Sequence, residues 1–429
     1  MTHITTAFDL SGIAPDAVHD EFRQRAADSW PDDTLVAAAG AVIARPKVAP
    51  ADSFVLHAPL ELLARAGLLA FVAPEARAQA RERIASLAAT YEAAGEAVEP
   101  APGAASSGSR TLDEIAIDLV VAVGAGDLEA VDQLAVELGT QATPLDLRHL
   151  LAEPVATALA AAGHSSILFS LFPHIETAHA VPAGIVRGPV REIARHPDWR
   201  IRWFDAADLA VTGPSLHDAL LHVPMLGSPG SDFIFPVMNQ VEAAGVAAEL
   251  LSGVVARPID VPAARRELAR VAAWSMLQEP PDHAPYGWTH CLTMPQATMA
   301  LAGDGLPPRT ALAVAATYVA GFCAALGSAV LDPSHQPERP HTSDLAEAIA
   351  AGPNDAAATA WHAPDSELDA IATALATRAS LHHDAHLVKY TLACFHAMAD
   401  DPDERRLYLA AAASLSGWWA QQPPDGFFD

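Results

Sequence analysis

Apolar residues recur at helical spacing along most of the chain, and convincing strand patterns are absent from the sequence. The spacing predicts amphipathic helices over residues 77–94, 112–136 and 404–419. The second of these is interrupted at residues 124–127, where Asp127 is a suitable N-terminal cap for another helix. No fixed-period repeat of the solenoid kind is visible. The pattern therefore predicts an all-α protein with a large, bundle-like arrangement of many helices.

Three apolar stretches are each predicted to form a helix. A strong helix is predicted over residues 53–63, with Pro59 in its first turn and His57 just before its apolar face. Residues 154–172 are predicted to form one apolar helix that carries His164. The run at residues 310–330 is long enough to imitate a membrane span. It has neither a basic flank nor an aromatic belt, so we interpret it as a buried core helix.

The polar stretches suggest how the chain is divided. Residues 1–50 mix charges, proline and short apolar runs, and are interpreted as an N-terminal arm with one or two helices. Residues 51–429 then form the main helical domain, with two lobes around a central site as one arrangement. Residues 96–110 are rich in Pro, Gly, Ala and Ser, which predicts a flexible loop. Residues 333–365 contain several prolines and are predicted to be an irregular surface excursion.

Net charge and cysteine content limit which partners and which cellular compartment we expect for the protein. The 429 residues carry a formal net charge of −27, so a nucleic-acid backbone is excluded as a partner. Cys291, Cys323 and Cys394 lie in apolar surroundings without a CxxC pair, which indicates reduced thiols in a cytoplasmic protein. Residues 1–10 show no signal-peptide pattern, and no membrane partner is expected. The oligomeric state is left open.

Four histidines, far apart in sequence, lie near the starts or middles of apolar helices: His57, His164, His290 and His386. A single histidine on an apolar face is usually an ordinary core residue. Four in similar positions favour a metal site, because helical proteins build such sites from inward side chains on facing helices. Imidazole is a suitable ligand for iron, zinc, nickel or copper. His174 and His179 are alternatives to His164.

Residues 381–391 are dense in nitrogen groups. If they are helical, His382, His386 and Lys389 share one face, and His383 can join His386 at its edge. The alternative is a solvated histidine-rich loop before a core helix. An ammonium group has no lone pair for a metal, so Lys389 either lies outside the ligand set or is chemically modified.

Other chemical templates fit less well. The HExxH, GxGxxG, GxxxxGK[ST] and GxSxG patterns are all missing, so NADPH, although compatible with an oxygenase, has no supporting motif. His383-Asp384 matches the His-Asp pair of HD-type metal phosphohydrolases, but a dipeptide alone is weak evidence. An HD-type hydrolase and a metal-free helical ligand-binding protein therefore remain alternatives.

Four short motifs in a fixed order resemble the questin oxidase-like family. They are His57-Ala58-Pro59, Ile175-Glu176-Thr177-Ala178-His179-Ala180-Val181, Thr289-His290-Cys291-Leu292-Thr293 and His386-Leu387-Val388-Lys389-Tyr390-Thr391. The resemblance covers about residues 53–420. Ala58 stands where glycine is common, and which of His164, His174 and His179 takes the middle position is open.

The resemblance implies a non-haem iron oxygenase. Histidines would hold Fe2+ with a carboxylated Lys389 as an oxygen ligand, because a carbamate is an anionic donor and an ammonium is not. The expected substrate is O2 with an aromatic, quinone or polyketide-like compound of secondary metabolism, which is oxidised or cleaved. Tyr286, Trp288 and Phe322 are candidate stacking residues for it, with an ordinary core role as the alternative. No catalytic residue is assigned.

Overall fold

The computed structural model describes residues 9–99, 110–173, 180–205, 209, 212–230 and 234–422. The protein is 72% helical, and this described part contains 20 α-helices and no strand. The all-α prediction is confirmed. Contacts divide the chain into two compact units, residues 1–200 and 201–429. No sequence pattern indicated a division near residue 200.

The first unit contains nine α-helices within its described residues. In chain order they are α1 (Val18–Gln24), α2 (Asp32–Ile43), α3 (Ser53–Leu68), α4 (Arg77–Ala93), α5 (Leu112–Ala125), α6 (Leu128–Gln141), α7 (Pro144–Ala156), α8 (His164–Leu171) and α9 (Arg187–Arg195). α1 and α2, in the region interpreted as an arm, pack against α4 inside this unit. Part of the loop predicted at residues 96–110 lies outside the described residues.

Local sequence determines where several of these helices begin. As predicted, Asp127 caps α6 by accepting a hydrogen bond from the Ala130 amide. α3 begins at Ser53, as predicted, because the Asp52 side chain accepts from the Val55 amide and caps the helix there. Pro59 consequently lies inside α3 rather than in its first turn, and that prediction was wrong.

The single helix predicted over residues 154–172 is in fact two helices. α7 ends at Ala156, and α8 begins at His164. Ala161, Ala162 and Gly163 between them all have positive φ, a left-handed conformation that an α-helix cannot accommodate. The break places His164 in the first turn of α8, where a continuous helix would have put it in the middle.

The second unit contains the other eleven helices of the described chain. They are α10 (Leu216–Leu221), α11 (Ile234–Ala243), α12 (Val246–Val255), α13 (Val261–Gln278), α14 (Thr289–Ala300), α15 (Pro308–Leu326), α16 (Leu345–Ala351), α17 (Pro353–His362), α18 (Leu368–Leu381), α19 (Ala385–Asp400) and α20 (Arg405–Ala420). α16 and α17 pack on α20, so the prediction of an irregular excursion over residues 333–365 was wrong for residues 345–362. The helices form there because Asp344 caps α16 and Pro353 begins α17.

α15 is the apolar run that imitates a membrane span. Among the described residues it alone is long and apolar enough to cross a bilayer, and 83% of its most apolar window is buried inside the protein. It packs against α11, α13 and α14. These contacts are those of a core helix, as the sequence predicted.

Candidate metal centre

His57 is held in one orientation by the backbone of its own helix. It is buried in α3, and its Nδ1–H donates to the Ser53 carbonyl oxygen one turn earlier at 2.6 Å. A neutral imidazole that donates through Nδ1 carries its lone pair on Nε2. This second-site hydrogen bond is the usual way in which proteins fix the tautomer of a metal-binding histidine.

His164 lies beside His57 in the first unit. The two ring centroids are 4.2 Å apart, and both side chains are buried. His164 is the first residue of α8, directly after the left-handed residues 161–163. Left-handed alanine costs about 1–2 kcal/mol per residue, and such strain persists only where the surrounding structure holds it. The turn therefore fixes the position of His164 relative to α3.

His290 has the same backbone-held orientation as His57. Its Nδ1–H donates to the Tyr286 carbonyl oxygen, again four residues earlier. Tyr286 belongs to a π-helical turn, Ala284–Trp288, which runs directly into α14. Isolated π turns occur often at functional sites. The lone pair of His290 is thus on Nε2.

His386 is oriented by a carboxylate instead of a carbonyl. Asp384 caps α19 by accepting from the His386 amide, and the same Oδ1 lies 3.2 Å from Nδ1 of the His386 ring. The ring centroids of His386 and His290 are 5.1 Å apart. Burial and the neighbouring Lys389 charge hold the pKa of His386 well below its usual range, so its imidazole is neutral. The second unit therefore also contains a close pair of buried histidines.

Lys389 completes the cluster in the second unit. Its Nζ lies 2.6 Å from Nε2 of His290, and both side chains are buried. The lysine thus reaches the nitrogen atom that would bind a metal.

His382 and His383 are placed differently from the prediction. α19 begins at Ala385, so they lie before the helix and do not share its face with His386 and Lys389. Their rings stack on each other with centroids 4.4 Å apart, and both contact Trp419. The Nδ1 of His382 accepts the Asp384 amide, which occupies that lone pair. His174 and His179 lie outside the described residues.

Of the three candidate stacking residues, two lie in the core and one lies beside His386. Trp288 and Phe322 are fully buried, and the Trp288 indole donates to the Pro280 carbonyl at 3.2 Å. Tyr286 is half-buried and packs edge-on against His386, with ring centroids 4.8 Å apart. The complete burial of Trp288 and Phe322 favours an ordinary core role for these two residues.

A cleft in the first unit was not anticipated from the sequence. His164 is part of its lining together with Lys47, Tyr91, Ser165 and Gly188. One unusual feature of the sequence coincides with this cleft. Lys47, which lines it, and Lys389 are the only two lysines in the chain. Both are buried, where lysine is uncommon.

Imidazole nitrogen suits a borderline transition metal such as iron, zinc or copper. In His57 of the first unit, and in His290 and His386 of the second, an oxygen atom engages Nδ1, so Nε2 is the nitrogen that would bind a metal. Comparison of the chain with protein-family models, with curated proteins and with solved structures finds no match.

Proposed function

We propose that this protein is a metal-dependent oxygenase, with non-haem iron as its metal, that oxidises or cleaves an aromatic or quinone substrate. The observation that carries the proposal is the shared orientation of His57, His290 and His386. In each, an oxygen atom engages Nδ1, so Nε2 is the ring nitrogen that would bind a metal.

We assign His57, His164, His290 and His386 as candidate ligands of the metal, with a carboxylated Lys389 as an anionic oxygen ligand. Each unit contributes a close pair of buried histidines to this set. The resemblance to the questin oxidase-like family supports this set, because the four histidines and the lysine lie in or near its motifs in the right order.

The residues of the chain have definable tasks in such a reaction. Iron, when bound, supplies the binding and activation of O2. His57, His290 and His386 keep their donor atoms in place through hydrogen bonds to Ser53, Tyr286 and Asp384. The apolar helices around them exclude water, which protects reactive species from side reactions. Cys291, Cys323 and Cys394 are free thiols, which favours a cytoplasmic location.

Metal analysis combined with oxygen uptake tests the function. Protein purified without chelator should contain about one iron per chain, and it should consume O2 only when an aromatic or quinone substrate is added. Chelator-treated protein is the matched control, and restoring Fe2+ should restore uptake. Hydrolysis of a phosphodiester instead of oxygen uptake would identify a phosphohydrolase. Protein that contains no metal and binds none would contradict both enzyme functions.

A further inference from the structure

All three cysteines of the chain lie on helices of the second unit. Cys291 is on α14, Cys323 is on α15 and Cys394 is on α19. The Cys291 side chain is fully buried, and it forms a hydrogen bond with the Cys323 side chain. Cys323 is partly exposed. Two thiols that are far apart in sequence therefore lie side by side, and one of them can be reached by small solutes.

Ser275 of α13 holds the two thiols at one place. Its Oγ lies 3.8 Å from Sγ of Cys323, and it is also a hydrogen-bond partner of Cys291. The serine is buried and anchored, because its hydroxyl donates to the Val271 carbonyl oxygen at 3.0 Å. A single small side chain that contacts both sulfur atoms requires those atoms to be close together.

The contact between α14 and α15 continues at the preceding residue of each helix. The rings of His290 and Phe322 are nearly parallel, with centroids 6.4 Å apart. Consecutive residues of α14 thus face consecutive residues of α15. Helix axes pack about 8–10 Å apart and Cα atoms lie about 2.3 Å from each axis, so facing residues can reach the Cα separation of about 4.4–6.8 Å that a disulfide needs.

We propose that Cys291 and Cys323 are a redox-active pair, which forms a disulfide with hydrogen peroxide and is reduced again by thiols. The exposed Cys323 sulfur attacks a peroxide oxygen, the O–O bond breaks, and a sulfenic acid and one water result. The Cys291 sulfur then attacks the Cys323 sulfur, the S–O bond breaks, and the hydroxyl leaves with the Cys291 proton as a second water. The two thiols lose two electrons, which reduce the peroxide.

The new bond would lie directly behind a proposed metal ligand. Because Cys291 follows His290, a disulfide ties the first turn of α14 to α15 and displaces the imidazole. Changes just outside the ligands of a metal typically cost 10- to 100-fold in affinity, so the oxidised protein should bind Fe2+ about tenfold more weakly. This effect on the metal rests on the proposed function, but disulfide formation does not.

Counting the thiols after peroxide treatment tests the pair. Full-length protein, as purified and after chelator treatment, is exposed to hydrogen peroxide, unfolded and alkylated with N-ethylmaleimide. Both samples should lose two of the three alkylated thiols, and dithiothreitol should restore them. Peptide mapping without reduction should find Cys291 joined to Cys323. Mapping requires no variant, so it decides the question even if a substituted protein does not fold.

Serine variants identify the role of each cysteine. Cys323→Ser should keep both of its remaining thiols after peroxide treatment. Cys291→Ser should leave a sulfenic acid on Cys323, which dimedone labels, because the second thiol is missing. Cys394→Ser is the matched control, since Cys394 is also buried but lies beside Tyr390, and this variant should still form the disulfide.

Three results would overturn the proposal: three alkylated thiols after peroxide treatment, a disulfide that contains Cys394, or a disulfide between two chains. Failure of the metal proposal is separate, because it appears as missing iron in a protein that still forms the Cys291–Cys323 bond. Conversely, a protein that binds iron and keeps all its thiols contradicts only the redox pair. Equal Fe2+ affinity of the oxidised and reduced forms would contradict the coupling to His290.

Discussion

Single hydrogen bonds decide what the buried histidines can do. A histidine that accepts through Nδ1, as His382 does from the Asp384 amide, has no free lone pair on that atom. A histidine that donates through Nδ1, as His57 does to Ser53, keeps the lone pair of Nε2 for a metal. Identical side chains therefore have different chemistry because their nearest oxygen or nitrogen differs.

Asp384 offers a direct test of orientation at this scale. Asp384→Ala removes both the cap of α19 and the partner of the His386 ring. We expect a loss of about 1 kcal/mol in the free energy of unfolding and a 10- to 100-fold loss in metal affinity. Asp344→Ala, which removes the equivalent cap of α16, should lose similar stability and no metal affinity. Equal metal affinity in the two variants would show that Asp384 is a cap alone.

The proposed carboxylation of Lys389 can be tested by replacing this residue. Lys389→Met keeps the length of the buried side chain and removes the amine, so iron affinity should fall about tenfold or more if the carbamate is a ligand. Added bicarbonate should not restore it. Lys389→Glu supplies a carboxylate with shorter reach, and we expect partial recovery of iron content. Intact-mass spectrometry of the metal-loaded protein at neutral pH that shows only an unmodified lysine would contradict the carbamate.

Helix ends are where the candidate ligands gather. His164 is the first residue of α8, while His290 and His386 are the second residues of α14 and α19. The N-terminal end of a helix carries partial positive charge, which disfavours a protonated imidazole. The helix starts therefore help to keep these side chains neutral and able to bind a metal. The backbone just before each helix sets the position of the ring. It is a left-handed turn before His164, a π turn before His290 and an aspartate cap before His386.

Hydrogen bonds around Asp401 connect three helices and make the stability of the second unit sensitive to acid. Asp401, after α19, accepts hydrogen bonds from Arg270 of α13 at 2.7 and 2.8 Å and from Tyr408 of α20 at 3.0 Å. Burial raises the pKa of Asp401, but the hydrogen bonds from Arg270 and Tyr408 outweigh it, and the pKa ends below its ordinary value. Stability from this group is complete above the unfolded-state pKa, near 4, and is lost as the pH falls through the lower folded-state pKa.

Asp401→Asn should therefore lower the free energy of unfolding at pH 7 by about 2 kcal/mol and reduce its decline below pH 5. Urea denaturation at neutral and acidic pH measures both effects. Asp369→Asn is the control, because Asp369 pairs with Arg405 at the surface, where an ion pair contributes little. A variant of Asp401 with wild-type stability at pH 7 would show that the junction does not stabilise the unit.

At the scale of the whole molecule, the candidate ligands are distributed over both units. His57→Ala in the first unit and His290→Ala in the second should each lose iron while circular dichroism remains helical. His196→Ala, which removes a ring stacked on Trp199, and His217→Ala, which removes a partner of Glu267, are the controls for the two units. A ligand variant that keeps the wild-type iron content would show that its histidine does not bind the metal.

Removing the metal gives a further expectation for the molecule. A ligand that binds only the folded state stabilises it by an amount that grows with its concentration relative to its Kd. Chelator treatment should therefore lower the melting temperature of the wild-type protein, and Fe2+ should restore it. The His57→Ala variant should melt at the same temperature with and without chelator. A wild-type protein indifferent to chelator would indicate that the histidines hold no ion.

The sequence by itself determined the helical class of this protein and several helix boundaries. The apolar spacing of the helices, the Asp127 cap and the core character of α15 depend on residues that are close together in the chain. They can therefore be recognised before the fold is known. The sequence also singled out His290, His386 and Lys389, which the structure brings close together within one unit.

Only the tertiary structure decided the rest. Residues 161–163 adopt left-handed φ in an alanine-rich segment that reads as helix, because packing holds a conformation that local propensity disfavours. The position of His382 and His383 depends on Trp419 of α20, a residue that lies more than thirty positions later in the chain. The cleft around Lys47 and Ser165 joins α3, α4, α8 and α9, whose side chains are scattered over about 150 residues. Contacts between residues so distant in sequence leave no periodic pattern, and only the folded chain brings them together.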